Sequence, residues 1–406
     1  MDRVAQSYVK LALALGRHDP DYVDAYYGPP EWKAEAERAG LGLPEIDRDA
    51  RLAIERLGRS PATSDDPLLP LRYHYLRRQL ESLGVRVSML RGSTFSFDEE
   101  SQALYDATAP VNPEATFQQV LADLESKLPG PGPLIERYDA FRKGFAVPAA
   151  RLDPVFTAAI NACRSRTLQH IALPGQERFT VEYVTGKSWG GYNWYQGGFS
   201  SVIQINTDLP IYIDRAIDLA CHEGYPGHHV YNVLLEKHLV RDRVWMEFSV
   251  YPLFSPQSLI AEGTANFGID VAFPGEERQD FERDVLFPLA GLDASTAGRY
   301  HEVETLVDRL SYAGNEAARR YLNGQFDRAT AAAWLTKFAM MPPARAEQRV
   351  RFVDQYRSYV INYNLGKDLV KAYIESRGGT PSRPDRRWRE FADLLASPRL
   401  PSDLRH

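Results

Sequence analysis

The fold and the chemistry of the chain are organised around residues 221–229, which read Cys221-His222-Glu223-Gly224-Tyr225-Pro226-Gly227-His228-His229. Three of the nine histidines of the chain, together with one carboxylate, fall within eight residues. Imidazole nitrogens are common zinc ligands, and a Glu beside such a ligand can accept a proton from an attacking water. The stretch therefore predicts a metal-dependent hydrolase.

The spacing of these histidines differs from that of the common zinc motif, in which two His four residues apart share one helical face. His228 follows His222 by six residues, which is about 9 Å along a straight helix and on another face. His229 returns to the right face but lies about 10.5 Å away. Ligand nitrogens must lie about 3–4 Å apart, because each is about 2 Å from the metal. An unbroken helix therefore cannot hold this site.

Pro226 and Gly227 offer a way around this difficulty, because Pro breaks a helix interior and Gly permits unusual backbone angles. If two residues loop out of the helix, His228 takes the position of the second ligand; if three loop out, His229 does. Bulges inside helices concentrate at functional sites. We favour His228 as the ligand and expect His229 to support a ligand or to face the substrate.

Two histidines need a third protein ligand, and a catalytic zinc site leaves its fourth position open. Glu262 is the candidate, because it lies among apolar and small residues in the predicted helix 258–271, where a charge is costly unless it meets a cation. Asn266, one turn later, could orient a ligand. Glu236 is a weaker alternative, because it precedes Lys237 and fits a solvated helix face.

Helical periodicity dominates the rest of the chain. Helices are predicted at 3–16, 47–58, 68–90, 114–128, 133–144, 150–172, 230–240, 296–323, 328–340, 344–375 and 385–396, and a further helix leads into His222. Two β-branched or aromatic stretches, 178–184 and 201–206, predict a pair of strands on either side of a loop rich in Gly and aromatic residues. The predicted fold is mainly α, with a small antiparallel β-sheet next to the helix that carries His222.

The change of character near residue 174 suggests two regions. We predict an N-terminal helical region at 1–173 and a catalytic region with C-terminal helices at 174–406, packed as one unit.

Composition and charge restrict the classes of partner that the chain is expected to bind. The formal net charge of −6 over 406 residues argues against nucleic acid and anionic membranes. No stretch approaches the roughly 18 apolar residues of a membrane span, and Met1-Asp2-Arg3 does not open a secretory signal peptide. A cytoplasmic location is therefore expected, and the oligomeric state stays open.

The pattern His222-Glu223-x-x-Pro226-Gly227-His228-His229, followed by Glu262-Gly263, resembles the bacterial family called domain of unknown function 885. The likeness extends over nearly the whole chain, through Val23-Asp24-Ala25-Tyr26-Tyr27-Gly28-Pro29, Ser96-Phe97-Asp98-Glu99-Glu100 and Tyr363-Asn364-Leu365-Gly366. It implies a gluzincin-like zinc peptidase with an α+β core, whose single zinc ion per chain is held by two His and one Glu. Members often carry Trp where this chain has Thr264, a departure that keeps the ligand but changes its surroundings.

The resemblance also directs attention to the predicted C-terminal helix. In gluzincin-like hydrolysis a Tyr or His donor stabilises the oxyanion, and an Arg can bind a substrate carboxylate. Tyr363 is the candidate donor and Arg357 the candidate anion-binding residue.

These observations together predict a zinc metallopeptidase in which Glu223 acts as general base. If 201–206 were an edge strand beside the site, it could pair with an extended peptide, which favours a peptide substrate. A covered edge would instead favour a metal-dependent amidase acting on a small molecule. A non-catalytic helical scaffold of the same fold is the third hypothesis.

Overall fold

The computed structural model describes residues 1–61 and 64–405. Its α-helices are α1 (Asp2–Leu15), α2 (Pro30–Ala39), α3 (Leu43–Leu57), α4 (Leu68–Leu90), α5 (Phe97–Tyr105), α6 (Glu114–Lys127), α7 (Leu134–Lys143), α8 (Leu152–Leu168), α9 (Asp214–Leu219), α10 (His228–Leu235), α11 (Pro256–Ala272), α12 (Glu277–Phe281), α13 (Phe287–Ala290), α14 (Ala297–Asp308), α15 (Tyr312–Leu322), α16 (Arg328–Phe338), α17 (Pro343–Tyr356), α18 (Ile361–Ser376) and α19 (Pro384–Leu395). The strands are β1 (Val23–Tyr26), β2 (Arg178–Val184), β3 (Gly191–Gly197), β4 (Ser200–Asn206) and β5 (Val250–Pro252). The predicted class, mainly α with a small sheet, is confirmed.

The larger sheet has the strand order β2-β4-β3, with β4 antiparallel to β3 and parallel to β2. The two predicted strands are β2 and β4, and they are neighbours as predicted, but they run parallel and not antiparallel. The stretch predicted as a loop between them is in part a third strand, β3, which reverses the chain before β4 begins. Gly197 and Gly198 have φ of +74° and +61°, so they form the tight turn between β3 and β4 that residues with a Cβ would resist.

The central position of β4 corrects one expectation. Both sides of β4 are occupied by neighbouring strands, so it is not an edge strand that could pair with a peptide. The strand of this sheet that reaches the site is β3, and Gly191 packs against the helical turn that carries Glu223.

The predicted helix 344–375 is interrupted where α17 ends. Arg357 has φ of +53°, and a short 3-10 segment, Arg357–Val360, leads into α18. The buried Glu100 carboxylate accepts hydrogen bonds from the Arg357 Nε at 2.7 Å and from the Ser358 backbone N–H at 3.1 Å. This contact with α5 stabilises the break in the helix. Helical periodicity does not reveal the break, because Glu100 lies in a distant segment of the chain. The predicted helix 296–323 is likewise divided, into α14 and α15.

Helices α11 and α18 cross at a pair of glycines. A Cβ on Gly263 would lie 2.5 Å from the backbone carbon and oxygen of Gly366, and a Cβ on Gly366 would lie 2.9 Å from the carbonyl oxygen of Leu259. The two backbones are therefore so close together that only glycine fits at these two positions. This crossing places α18 against the helix that carries Glu262.

Packing joins the chain on both sides of residue 173. The cluster beneath the site combines residues of α8, such as Cys163, with residues of α10 and α11. A second cluster combines α1 and α4 with the segment around Tyr359, and a third combines α6 with α14 to α17. The boundary proposed from the sequence stays a prediction.

Candidate metal centre

The chain bends sharply between His222 and His228. Helix α9 continues into a π-helical turn, Ala220–Gly224, and α10 begins at His228 after a cis Tyr225–Pro226 peptide. The Gly227 N–H donates to the Cys221 carbonyl at 2.9 Å. A Cβ on Gly227 would lie 1.9 Å from the His222 carbonyl oxygen, so this compact return of the chain requires glycine.

The bend brings three side chains to one point. Nε2 of His222 lies 3.1 Å from Nε2 of His228. Oε2 of Glu262, on α11, lies 3.3 Å from the first nitrogen and 3.7 Å from the second. These separations are close to those of ligands about 2 Å from a shared zinc ion. The structure thus assembles the three residues selected from the sequence into a group that could hold a metal.

The donor set fits a divalent cation. Oε2 of Glu262 is buried and accepts no hydrogen bond within residues 1–61 and 64–405, whereas Oε1 accepts one from the Tyr359 hydroxyl at 2.8 Å. Buried carboxylate oxygens normally have a partner. One oxygen is therefore fixed in place, and the other points towards two imidazoles without a hydrogen bond. Two His and one Glu with an open side is the composition of catalytic zinc sites.

The electrostatics of the group favour a bound positive charge. Burial by itself would raise the pKa of Glu262, but the charge of His228 and contacts with both histidines lower it well below its ordinary value. Burial opposes charge on His228 as well, yet the neighbouring Glu262 and Glu223 raise the pKa of His228 to about 9. Without a metal, the group therefore retains a proton at neutral pH.

Glu223 lies beside the metal group and lines the same cavity. The Asn193 side chain donates to its backbone carbonyl at 2.8 Å, and a Cβ on Gly191 would lie 3.0 Å from Glu223 Oε1. Burial raises the pKa of Glu223 above its ordinary value, although His222 and His228 oppose the shift. A carboxylate with a raised pKa can both accept and return a proton near neutral pH.

The group opens into a cavity of about 820 Å³. Tyr363 lines it, and its hydroxyl makes no hydrogen bond to the part of the chain that the structure describes. Asn266 also lines it, but its side chain donates to the backbone carbonyls of Glu262, at 3.0 Å, and Tyr363, at 3.3 Å. Asn266 therefore joins α11 to α18 and does not contact the ligand carboxylate.

His229 does not reach this cavity. Its Nδ1 lies 2.8 Å from Ser201 Oγ and its Nε2 lies 3.0 Å from Glu177 Oε2. The structure therefore places His229 beside Ser201 and Glu177 in the core, and not beside the three candidate ligands or the cavity, where the sequence led us to expect it. Consecutive residues of a helix point about 100° apart, so His228 at the cavity directs His229 into the core.

Arg357 does not line the cavity either. Its Nε donates to Glu100 at 2.7 Å, so its charge is already neutralised by a buried carboxylate. The proposed anion-binding role of Arg357 is not supported. The arginines that do reach the cavity from this region are Arg345 and Arg349 on α17.

Sequence reasoning missed the residues that hold the bend. Glu177 accepts hydrogen bonds from the Tyr225 hydroxyl at 2.6 Å and from Arg164 at 2.7 Å, besides its contact with His229. It thereby ties down residues on both sides of Pro226-Gly227. Burial raises the pKa of Glu177, but these three partners lower it to about 2. Nothing in the local sequence around Glu177 marks it.

Asp24 is a second missed residue. It comes from β1, lines the cavity and accepts a hydrogen bond from the Tyr192 hydroxyl. Burial raises the pKa of Asp24 to about 6, although Tyr192 and His228 oppose the shift. The signal for Asp24 was available, since it lies within one of the stretches that carry the family resemblance.

Comparison with known proteins leaves the function open. No family model and no curated protein matches the chain. A solved structure of a candidate lipoprotein from Colwellia psychrerythraea aligns with a TM-score of 0.53 and 14% identity, over 92% of this chain and 71% of that one. A candidate lipoprotein of unknown function from Shewanella oneidensis aligns with a TM-score of 0.41 and 13% identity, over 90% of this chain and 76% of that one.

A third solved structure is the M32 carboxypeptidase from Deinococcus radiodurans, with a TM-score of 0.40 and 14% identity, over 98% of this chain and 90% of that one. The likeness to the Colwellia protein shows a shared fold. The two weaker alignments assign no activity to this chain.

Proposed function

We propose that this protein is a zinc-dependent hydrolase of amide bonds, most simply a peptidase of the family called domain of unknown function 885. One observation carries the proposal: a buried oxygen of Glu262 that accepts no hydrogen bond from the described residues lies within 3.7 Å of the Nε2 atoms of His222 and His228, at the edge of an open cavity. A structural zinc site would be closed by a fourth protein ligand, and the described residues offer three.

The residues of the chain have separate roles in this proposal. His222, His228 and Glu262 would hold one zinc ion, which supplies Lewis-acid activation of water and of the substrate carbonyl. Glu223 accepts a proton from the attacking water and returns it to the leaving nitrogen. Tyr363 donates a hydrogen bond to the oxygen on which charge develops. Tyr359 orients Glu262 through the 2.8 Å hydrogen bond to its other oxygen.

The cavity favours a short substrate. A volume of about 820 Å³ lies in the range of small-molecule sites. β4 is paired with a strand on each side, so it cannot pair with a long extended peptide. The argument for a peptide substrate that depended on β4 therefore no longer applies. A metal-dependent amidase acting on a small molecule is therefore the second candidate, and it differs from the first only in what flanks the scissile amide.

Metal content and hydrolysis test the proposal together. Chelator-treated wild type should take up about one zinc per chain and cleave members of a pool of short peptides and N-acyl amino acids. Glu223→Gln should keep the zinc and lose activity by about 10³-fold. Glu55→Gln, an exposed position on α3, is the control and should match wild type. Failure to bind zinc, or full activity of Glu223→Gln, would contradict the proposal and favour the non-catalytic scaffold.

No helix within residues 1–61 and 64–405 combines the length and the apolar character needed to cross a membrane. The cytoplasmic location and the exclusion of nucleic-acid and membrane partners stay predictions from composition.

A further inference from the structure

Some basic side chains in the cavity wall lack a counter-ion. Within the described parts of the chain, Arg215, Arg278, Arg309 and Lys367 each lie within 4.0 Å of a carboxylate, namely Asp218 for the first two, Asp123 and Asp270. Arg345, Arg349 and Lys371 also line the cavity, and the described residues place no carboxylate within that distance of them. Lys371 and Arg345 are exposed, whereas Arg349 is half-buried. Lys371 lies two helical turns beyond Tyr363, whereas Arg345 and Arg349 lie together on α17.

Arg345 and Arg349 lie one turn apart on the same face of α17, followed at helical spacing by Phe352 and Tyr356, which also line the cavity. The Arg349 guanidinium carbon lies 4.8 Å from the centre of the Phe352 ring and 5.6 Å from that of Tyr363. Its Nε is buried and has no hydrogen-bond partner in the described chain. Within the described residues, the Arg345 side chain donates one hydrogen bond, to the side chain of Gln348.

Two positive charges one helical turn apart, one of them with a buried Nε that has no partner in the described chain, are unfavourable unless an anion joins them. Arginine remains protonated in proteins, so it cannot relieve burial by losing its charge, and a buried charge without a partner is unfavourable. Desolvation inside the cavity and the positive charges of Arg215 and Arg349 together lower the pKa of Arg345 to about 10. The part of the cavity wall that α17 forms therefore carries positive charge that a ligand can neutralise.

Two tyrosines connect Arg349 to the metal group. Tyr363 is in contact with Arg349 on one side, and on the other side its ring centre lies 5.8 Å from that of Tyr359, which donates to Glu262. A substrate group bound by Arg349 would therefore lie close to the amide that Glu223 and Tyr363 serve. Arginine binds carboxylates through two parallel N–H bonds, with a geometry that a neutral amide cannot match.

We propose that Arg345 and Arg349 form a carboxylate subsite, so that the substrates are N-acyl amino acids or short peptides cleaved next to a free terminal carboxylate. The substrate class rests on the hydrolase function proposed above, whereas carboxylate binding by the two arginines is measurable without it. The subsite would make the enzyme an exopeptidase-type hydrolase and would exclude cleavage within long chains.

The first arm of the test measures binding without hydrolysis. A pool of N-acetyl amino acids and a matched pool of N-acetyl amino acid amides are added to zinc-free protein, and saturation-transfer NMR identifies the members that bind. We expect binding of acids but not of the matching amides, and a Kd about tenfold or more higher for Arg349→Gln. Arg351→Gln, an exposed position on the same helix, should bind as wild type does. Equal binding of acids and amides by wild type would overturn the proposal.

The second arm measures hydrolysis by the zinc-loaded protein. Peptides with a free C-terminus are compared with the same peptides carrying a C-terminal amide. We expect the amides to be cleaved about tenfold or more slowly in kcat/KM, and Arg345→Gln and Arg349→Gln to raise KM for the free acids more than they lower kcat. Equal cleavage of both sets would overturn the subsite but keep the hydrolase. Arginine-dependent acid binding without any hydrolysis would keep the subsite and remove the hydrolase. Wild type alone decides between acids and amides if a variant fails to fold.

Discussion

His228 and His229 are adjacent in the chain, yet their side chains lie in opposite environments. His228 borders the cavity, where it faces His222 and an oxygen of Glu262 that accepts no hydrogen bond in the described part of the chain. His229 is fully buried, at 0% exposure, and both of its ring nitrogens have partners. One histidine belongs to a group of three metal-type donors that faces the cavity, and the other belongs to a buried group whose members hydrogen-bond to one another.

The buried group shows why residue types alone do not define a site. Ser201, His229 and Glu177 form a hydrogen-bonded row of the three residue types that many hydrolases use for nucleophilic catalysis. Ser201 is 1% exposed, however, and none of the three lines the cavity. The row can therefore hold the bend of the chain but cannot reach a substrate. Two properties distinguish the functional group from the structural one: its side chains reach the cavity, and its donor atoms suit a metal ion.

The largest difference between the two histidines should appear in metal binding. His228→Gln should weaken zinc binding by about 100-fold or more, because it removes a ligand and not only an outer partner. His229→Gln should keep zinc binding within about tenfold of wild type, since its side chain faces the core. Competition with a chromogenic chelator measures both affinities. A loss of zinc binding in His229→Gln alone would show that the ligand is misassigned.

The free energy of unfolding should depend more on His229 than on His228, the reverse of the order for zinc binding. His229→Ala should lower the free energy of unfolding by about 3 kcal/mol, because it leaves the buried Glu177 and Ser201 without their partner. His228→Ala should cost less in zinc-free protein, where the cavity gives water access to its neighbours. Urea unfolding of zinc-free samples avoids the stabilisation that metal binding adds. Equal losses for the two variants would contradict the division into a functional and a structural group.

The structural group should also give the protein a defined response to acid. The pKa of Glu177 is about 2 in the folded protein and ordinarily 4.5, so its ionised form stabilises the fold above pH 4.5. That contribution, about 3 kcal/mol in total, is lost as the pH falls from 4.5 through 2. About 2 kcal/mol of it should disappear between pH 5.5 and pH 3.

Urea unfolding at several pH values tests this response. The difference in stability between wild type and Glu177→Gln should shrink by that amount over the interval, whereas the difference between wild type and Glu55→Gln should stay nearly constant. A difference in stability between wild type and Glu177→Gln that does not change with pH would show that Glu177 does not cause the response to acid.

The smallest expected effect concerns the packing of α18 against α11, the helix that carries Glu262. Gly366→Ala adds a methyl group 2.9 Å from the Leu259 carbonyl oxygen and 3.0 Å from Gly263 Cα, so α11 and α18 must separate. Overpacking of this kind costs about 1–3 kcal/mol, and it should also weaken zinc binding because Tyr359 moves relative to Glu262. Gly298→Ala, at an exposed helical position with no atom within 4 Å of the added carbon, is the matched control and should be neutral or stabilising. Unfolding and zinc titration of both variants measure the two effects.

The fold class and the three candidate ligands could be reached from the sequence because each depends on a local signal. Helical periodicity is local, and so are the alternating strands predicted at 178–184 and 201–206. Glu262 could be selected because a carboxylate among small and apolar residues needs a cation nearby. Pro226-Gly227 marked the bend without fixing its geometry. The structure then placed His228, rather than His229, beside His222.

The features that the sequence did not reveal depend on contacts between distant segments. The parallel pairing of β2 with β4 arises because β3 lies between them in the chain, and periodicity alone could not distinguish β3 from a loop. Arg357 and Arg349 look alike as basic residues near the C-terminus. Glu100, more than 200 residues away in sequence, pairs with Arg357, whereas the Nε of Arg349 has no hydrogen-bond partner among the described residues. Only tertiary structure decides such a choice.

Anomalous diffraction from a zinc-loaded crystal tests the central claim most directly. The account predicts one strong peak at the zinc edge, about 2.0–2.2 Å from Nε2 of His222, Nε2 of His228 and an oxygen of Glu262, with the fourth position facing the cavity. A peak centred elsewhere, such as beside His229, or a fourth protein ligand closing the site, would contradict it.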